Sequence, residues 1–139
     1  MPARPVVLDT NVFVAAGFNP RSASAEILDA VRAGRLRMIW DDATRRETEH
    51  ILRRIPPLRA RDFSDVFRPD DRFTEPTHPE RYAMVPDPDD RKFAALAGAA
   101  GATLITNDEH LLGWRDRLDL PIVTPGEFRG EVPGDSRRS

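Results

Sequence analysis

The sequence predicts a single α/β domain with a mainly parallel sheet covered by helices on both faces. Three observations predict it. Short aliphatic runs recur along the chain at 5–9 (PVVLD), 36–40 (LRMIW) and 102–106 (ATLIT), with a weaker fourth at 120–124 (LPIVT). They do not alternate strictly between apolar and polar residues, which suits strands buried on both sides. Helical patterns fill the intervals, and strands alternating with helices build parallel sheets. The length of 139 residues, 40% of them hydrophobic, matches one domain with one core.

The elements follow in order. The first strand ends in Asp9-Thr10-Asn11, and "NVFVAA" then starts a helix. "SASAEILDAVRAG" opens with serines able to cap a helix and closes at Gly34, the residue expected just past a helix end. After the second strand, "DDATRRETEHILRRI" places Thr44, Thr48, Ile51, Leu52 and Ile55 on one face and stops before Pro56-Pro57. Within 56–85, "LRARDFSDVF" reads as a short helix, "RPDDRFTEPTHPE" as a surface loop and "RYAMV" as an edge strand. "DPDDRKFAALAGAAG" carries Asp87 as cap and Pro88 at the first helical position. It is apolar nearly all round, so it belongs inside. A further helix, "EHLLGWRDRL", follows Asp108. The domain spans 1–129, and 130–139 lacks periodicity and reads as a frayed tail.

Composition excludes several classes. There is no cysteine, hence no disulfide and no thiolate metal site. No apolar run is long enough for a membrane span, and the start has no signal-peptide pattern, so a cytoplasmic protein is expected. The net charge of -2 does not advertise nucleic-acid binding. Lys92 is the one lysine among 21 basic residues.

The chemistry lies in the acids. In parallel sheets, sites form beyond the carboxyl ends of the strands. Asp9 ends the first strand there, and Asn107-Asp108 follow "LIT" in the same way. Asp90 lies in the first turn of the buried helix, and Glu47 on the margin of the Thr44/Thr48/Ile51 face, with Glu49 turned further to solvent. Each has a plainer role on its own. Asp9 and Asp108 can cap helices, Asp90 can favour a helix dipole, and Glu47 can be a solvated side chain. Together, Asp9, Glu47, Asp90 and Asp108 form a hard oxygen set suited to Mg²⁺ or Mn²⁺, which can activate water and offset charge on a phosphate. His50, His78 and His110 are scattered surface residues. No Gly-rich phosphate loop, Ser-His-Asp set or zinc spacing competes.

The succession "VVLDTNVFVAA", "LRMIWDDATRRETEHIL", "DPDDRKFAALAGAAGATLIT" and "TNDEHLL" resembles the PIN-domain nucleases, in particular the VapC-like toxins of bacterial toxin–antitoxin pairs. The likeness runs from about residue 5 to residue 128. It implies a sheet of order 3-2-1-4-5 and a metal-dependent ribonuclease acting on single-stranded RNA. It also implies a cognate antitoxin and a homodimer. By motif it assigns the four acids to catalysis and metal binding. Asn11, Thr10, Thr106, Asn107 and Asp87 support them. Asp41 stands where the family often has serine after the second strand, and aspartate can cap the next helix equally well.

Three alternatives are weaker. A haloacid-dehalogenase-type phosphatase needs an aspartate where Asn11 stands. A receiver domain needs a late lysine, and Lys92 falls at the wrong point. A catalytically silent binding or scaffold module is the non-enzymatic alternative, and retention of all four acids speaks against it.

Overall fold

The structure, a computed structural model, describes residues 3–131. The chain runs β1 (Arg4–Leu8), α1 (Thr10–Phe18), α2 (Ala23–Arg32), β2 (Leu36–Met38) and α3 (Asp42–Arg53). Three single 3-10 turns follow, at Ser64–Val66, Pro69–Asp71 and Pro79–Tyr82. The chain then forms α4 (Pro88–Ala100), β3 (Thr103–Ile105), α5 (Glu109–Gly113), β4 (Ile122–Val123) and α6 (Pro125–Arg129).

Local chemistry sets these boundaries. Ser22 Oγ accepts from the Ala25 N–H to start α2, and Gly34 at φ 79° takes the chain out of it. Asp41 caps α3 reciprocally: its Oδ1 accepts from Thr44 N at 2.9 Å, and Thr44 Oγ1 accepts from Asp41 N at 3.1 Å. Asp87 Oδ1 accepts from Asp89 N to open α4, with Pro88 as its first residue. α4 ends at Gly101, whose φ of 65° is the left-handed conformation glycine tolerates.

The four strands pair in parallel in the order β2-β1-β3-β4. β1 is central, with Val6 beside Met38 and Leu8 beside Ile105. Val6 and Leu8 join a core with Phe13, Ile27, Leu28 and Phe128, which are carried by α1, α2 and α6. Val7 turns the other way to Phe93, Leu96, Leu104 and Ile122, under α4. α3 touches both α1 and α4, so it joins the two helical layers. Truncating Phe13 or Phe93, each almost fully buried, to alanine is expected to cost about 3–5 kcal/mol. Among the described residues no helix is long and apolar enough to cross a membrane.

Several elements differ from the sequence reading. The outermost strand of the 3-2-1-4-5 order is reduced to one parallel bridge between Trp40 and Arg72, leaving four strands among the described residues. "RYAMV" is not a strand. Tyr82 and Val85 are its buried residues, three apart, which is a helical spacing, and Pro79 opens a 3-10 turn there. "LRARDFSDVF" is not a continuous helix: turns at 58–60 are followed by the 3-10 turn Ser64–Val66. Its polar half has no apolar stripe, and Asp62 Oδ1 accepts from Ser64 N to make a local turn instead. The loop after it is not wholly on the surface: Asp71 is buried and takes Arg37 Nε at 2.9 Å. α5 stops at Gly113, and the turns beyond it close through i→i−3 bonds at Trp114 and Arg115. Of the tail expected over 130–139, residues 132–139 lie outside the described residues. Gly130 and Glu131 belong to the folded unit, with Glu131 Oε1 taking Arg4 Nη1 at 2.7 Å.

Candidate metal centre

The register of β1 against β3 builds the site. Leu8 pairs with Ile105, so the next residues, Asp9 and Thr106, emerge side by side at the carboxyl edge. Asp9 N donates to Ile105 O at 3.0 Å and locks that placement. Asp9 also caps α1, since its Oδ1 accepts from Thr10 N at 2.7 Å. Its Oδ2 accepts from Thr106 Oγ1 at 2.7 Å. Thr106 is fully buried and accepts in turn from Asp108 N at 2.9 Å. One hydroxyl therefore holds the acid of β1 and the backbone of Asp108 in a fixed relation.

Asp108 opens the short α5, with Oδ1 accepting from His110 N at 2.7 Å. Asp90 approaches from the first turn of α4 and is buried. One carboxylate oxygen from each of Asp9, Asp90 and Asp108 lies within 4.8 Å of the other two. Caps and convergence are not alternatives here, because Asp9 and Asp108 do both.

The electrostatics oppose full ionisation of these acids. Burial raises the Asp9 carboxyl to about 6, against the lowering effect of its bonds from Thr106 and Thr10. Asp90 is pushed up to about 8, by burial first and then by Asp9, Asp108 and Asp87. Asp90 Oδ2 is buried with no hydrogen-bond partner. A native fold seldom leaves such an oxygen unanswered. A hard divalent cation would answer it, and an all-oxygen donor set is the kind such an ion takes.

The remaining expected residues surround this triad. The crevice has a volume of about 220 Å³ and is lined in part by Thr10, Asn11, Glu47, Asp87 and Asp89. Glu47 faces the crevice but is not in the triad: Lys92 Nζ holds its Oε1 at 3.2 Å. Its side chain is 14% exposed against 42% for Glu49, as the helical wheel requires. Asp87 is an exposed cap on the rim. Asn11 Oδ1 accepts from Asn107 N at 3.1 Å and ties α1 to the loop after β3. Thr10 Oγ1 lies 2.9 Å from Thr48 Oγ1, a buried bond between α1 and α3.

Two participants escaped the sequence reading. Thr48 appeared only as part of an apolar face, although two threonines at i and i+4 on a buried face signal a polar bond within it. Lys92 was noted for its rarity, yet its place two residues after Asp90 puts it at the crevice mouth, 3.8 Å from Asp89 as well.

A family model described as PIN domain matches residues 5–110. Among solved structures, the fold is similar to a chain in the crystal structure of VapBC2 from Rickettsia felis bound to a DNA fragment from their promoter. That match has 15% identity and a TM-score of 0.58, covering 86% of this chain and 98% of the other. It is similar also to PAE2754 from Pyrobaculum aerophilum, with 15% identity and a TM-score of 0.59, covering 95% of this chain and 96% of that one. No curated protein matches the sequence.

Proposed function

The chain belongs to the PIN-domain family, and from that premise we propose that it is a metal-dependent endoribonuclease. Its substrate is single-stranded RNA, and it is the toxin of a toxin–antitoxin pair. One observation carries the chemistry. Three carboxylates from three separate elements converge within 4.8 Å, and one of them, Asp90, has a buried oxygen without a partner. Structural acids are not gathered in this way, because each raises the cost of ionising the next.

Asp9, Asp90 and Asp108 would hold the ion, Mg²⁺ or Mn²⁺, with Glu47 the fourth acid at the edge of the set. When bound, such an ion offsets charge developing on the phosphate and lowers the pKa of an attacking water. The chain supplies the rest. Each Asp9 oxygen accepts one hydrogen bond, which leaves lone pairs for a cation. Burial and the neighbouring acids favour the protonated form of Asp90 in the metal-free protein, and a bound cation would favour the ionised form. Thr106 keeps Asp9 and Asp108 in register, and the Thr10–Thr48 bond keeps the helix of Glu47 against the site.

Residues 1–129 form the catalytic unit. α6 belongs to it, with Phe128 buried and Arg129 paired to Glu26 at 2.8 Å. The fold's likeness to a chain of VapBC2 supports an antitoxin partner. Such a partner would bring a basic or apolar segment to the acidic crevice. A homodimer in the cytoplasm completes the reading.

Purified protein should cleave single-stranded RNA only with Mg²⁺ or Mn²⁺. Asp9→Asn in a matched preparation should lose activity by orders of magnitude. Equal cleavage by Asp9→Asn refutes the mechanism, and absence of cleavage with either metal leaves a binding or scaffold module. For the toxin role, overexpression should arrest growth and a small neighbouring protein should co-purify from the native operon. A harmless, partnerless monomer contradicts that role.

A further inference from the structure

Beside the acidic crevice lies a groove of opposite charge. It has a volume of about 300 Å³ and is lined by Ala43, Arg46, Glu47, His50, Arg53 and Lys92. Ala43, Arg46, His50 and Arg53 stand at i, i+3, i+7 and i+10 along α3, so they form one stripe on its outer side. Glu47 lines both hollows, which makes them contiguous. Lys92 lines the basic one and reaches Glu47, so it stands at the junction.

The arginines of this stripe differ from the ion-paired arginines elsewhere among the described residues. Arg4, Arg32, Arg37, Arg45, Arg72, Arg115 and Arg129 each close an ion pair with an acid. Arg46 and Arg53 close none and make no side-chain hydrogen bond among the described residues. Their donors are uncommitted, in a chain whose net charge is -2 and whose neighbouring crevice is acidic.

We propose that this stripe is the track on which a single-stranded nucleic acid lays its phosphate backbone as it reaches the carboxylates. Arg46 and Arg53 each take a phosphate, and Lys92 takes the one nearest the acids. What happens at the acids rests on the nuclease reading above; the binding itself does not. An acidic crevice repels a polyanion, so the attraction must come from beside it. A guanidinium offers the two parallel donors that a phosphate accepts. Arg46 and Arg53 are seven residues apart, about 10 Å along the helix axis, which is the rise of roughly three stacked nucleotides. Among the lining residues only His50 has a ring that can stack on a base, so the track reads backbone far more than sequence.

The test is binding of a fluorescein-labelled oligouridylate to the full chain, by anisotropy in EDTA over a series of salt concentrations. EDTA stops cleavage and isolates binding. Arg46→Gln/Arg53→Gln is compared with Arg81→Gln/Arg117→Gln, which removes the same charge from a separate groove. Losing two phosphate contacts should flatten the salt dependence by about 1.4 in log–log slope, and weaken binding about 25-fold near 0.1 M salt. The control pair should leave both close to wild type, and thermal melting should show all variants folded. With Mn²⁺ present, the stripe variant should raise KM and keep kcat. Equal weakening by both pairs overturns the proposal, because net charge alone would then explain it. So does a wild type that ignores the oligonucleotide and binds a polyglutamate peptide. The two readings fail separately. Stripe-dependent binding without cleavage in any metal removes the nuclease and keeps the track. Asp9-dependent cleavage indifferent to Arg46 and Arg53 removes the track and keeps the nuclease.

Discussion

Replacing Asp90 with asparagine should stabilise the metal-free protein, and more so as the pH rises. In the fold, the Asp90 carboxyl is raised to about 8 from an ordinary 3.8, by burial and then by Asp9, Asp108 and Asp87. Between those two values the folded chain holds a proton that the unfolded chain has released. Stability therefore falls as pH climbs through that window, by about 1.4 kcal/mol per unit at full effect. From pH 5 to 7 that is about 3 kcal/mol, and about half of it if the neighbouring acids share the titration. Asparagine has no proton to lose and lacks this slope. Asp9, raised to about 6, adds a slope of the same sign to both proteins, so it largely cancels in the comparison. For a domain of this size, about 1.5–3 kcal/mol corresponds to a melting difference that widens by about 5–10 °C between pH 5 and 7. A neutral Asp90 gives the α4 dipole nothing at pH 7, so the substitution forfeits no helix-terminal charge there. Melting curves in EDTA at several pH values are the assay. If Asp90→Asn melts below wild type throughout, with a parallel pH dependence, then Asp90 is an ionised structural acid and the strained site does not exist.

Other perturbations address the same architecture. Added Mg²⁺ should raise the melting temperature of wild type and much less that of Asp108→Asn, because a ligand stabilises only the state that binds it; equal shifts would place the ion elsewhere. Thr106→Val keeps the shape but strips the partner from Asp9 Oδ2 and from Asp108 N, and should cost about 1–3 kcal/mol in urea denaturation, with Thr106→Ser restoring most of it. Gly98→Ala drives a methyl into the Tyr82 hydroxyl and should destabilise by about 1–3 kcal/mol. Gly98→Ala/Tyr82→Phe should recover the loss if that hydroxyl is the obstacle.

The sheet and the acidic triad were legible because each rests on a short-range rule. An aliphatic run that ends in Asp9 has one natural place in a parallel sheet, and the run before Thr106 has the same place one strand over. Helix α4 announced itself through Asp87 and Pro88, which are the cap and first residue of the helix. Segment 56–85 obeys no such rule. Phe63, Val66, Phe67, Tyr82 and Val85 are buried singly or in pairs, each inserted where the helices leave room. Their spacing follows the shape of the rest of the fold, so periodicity misassigned "LRARDFSDVF" as helix and "RYAMV" as strand.

Charge shows the same limit from the other side. A net charge of -2 does not advertise nucleic-acid binding, but it sums two opposed regions that share one residue, Glu47. The acids gather at the carboxyl edge because β1, α4 and the loop after β3 all point there. The bases lie on the outer side of α3 because Thr44, Thr48 and Leu52 claim its inner side for the core. Position on a helix and position on a sheet edge thus separate charges that composition cancels. Lys92 marks the seam. Its pairing with Glu47 spans 45 residues of sequence, and only the packing of α3 against α4 brings the two together. A window that scans for local charge runs cannot find that seam, whereas a helical wheel of α3 read against the burial of Thr48 can.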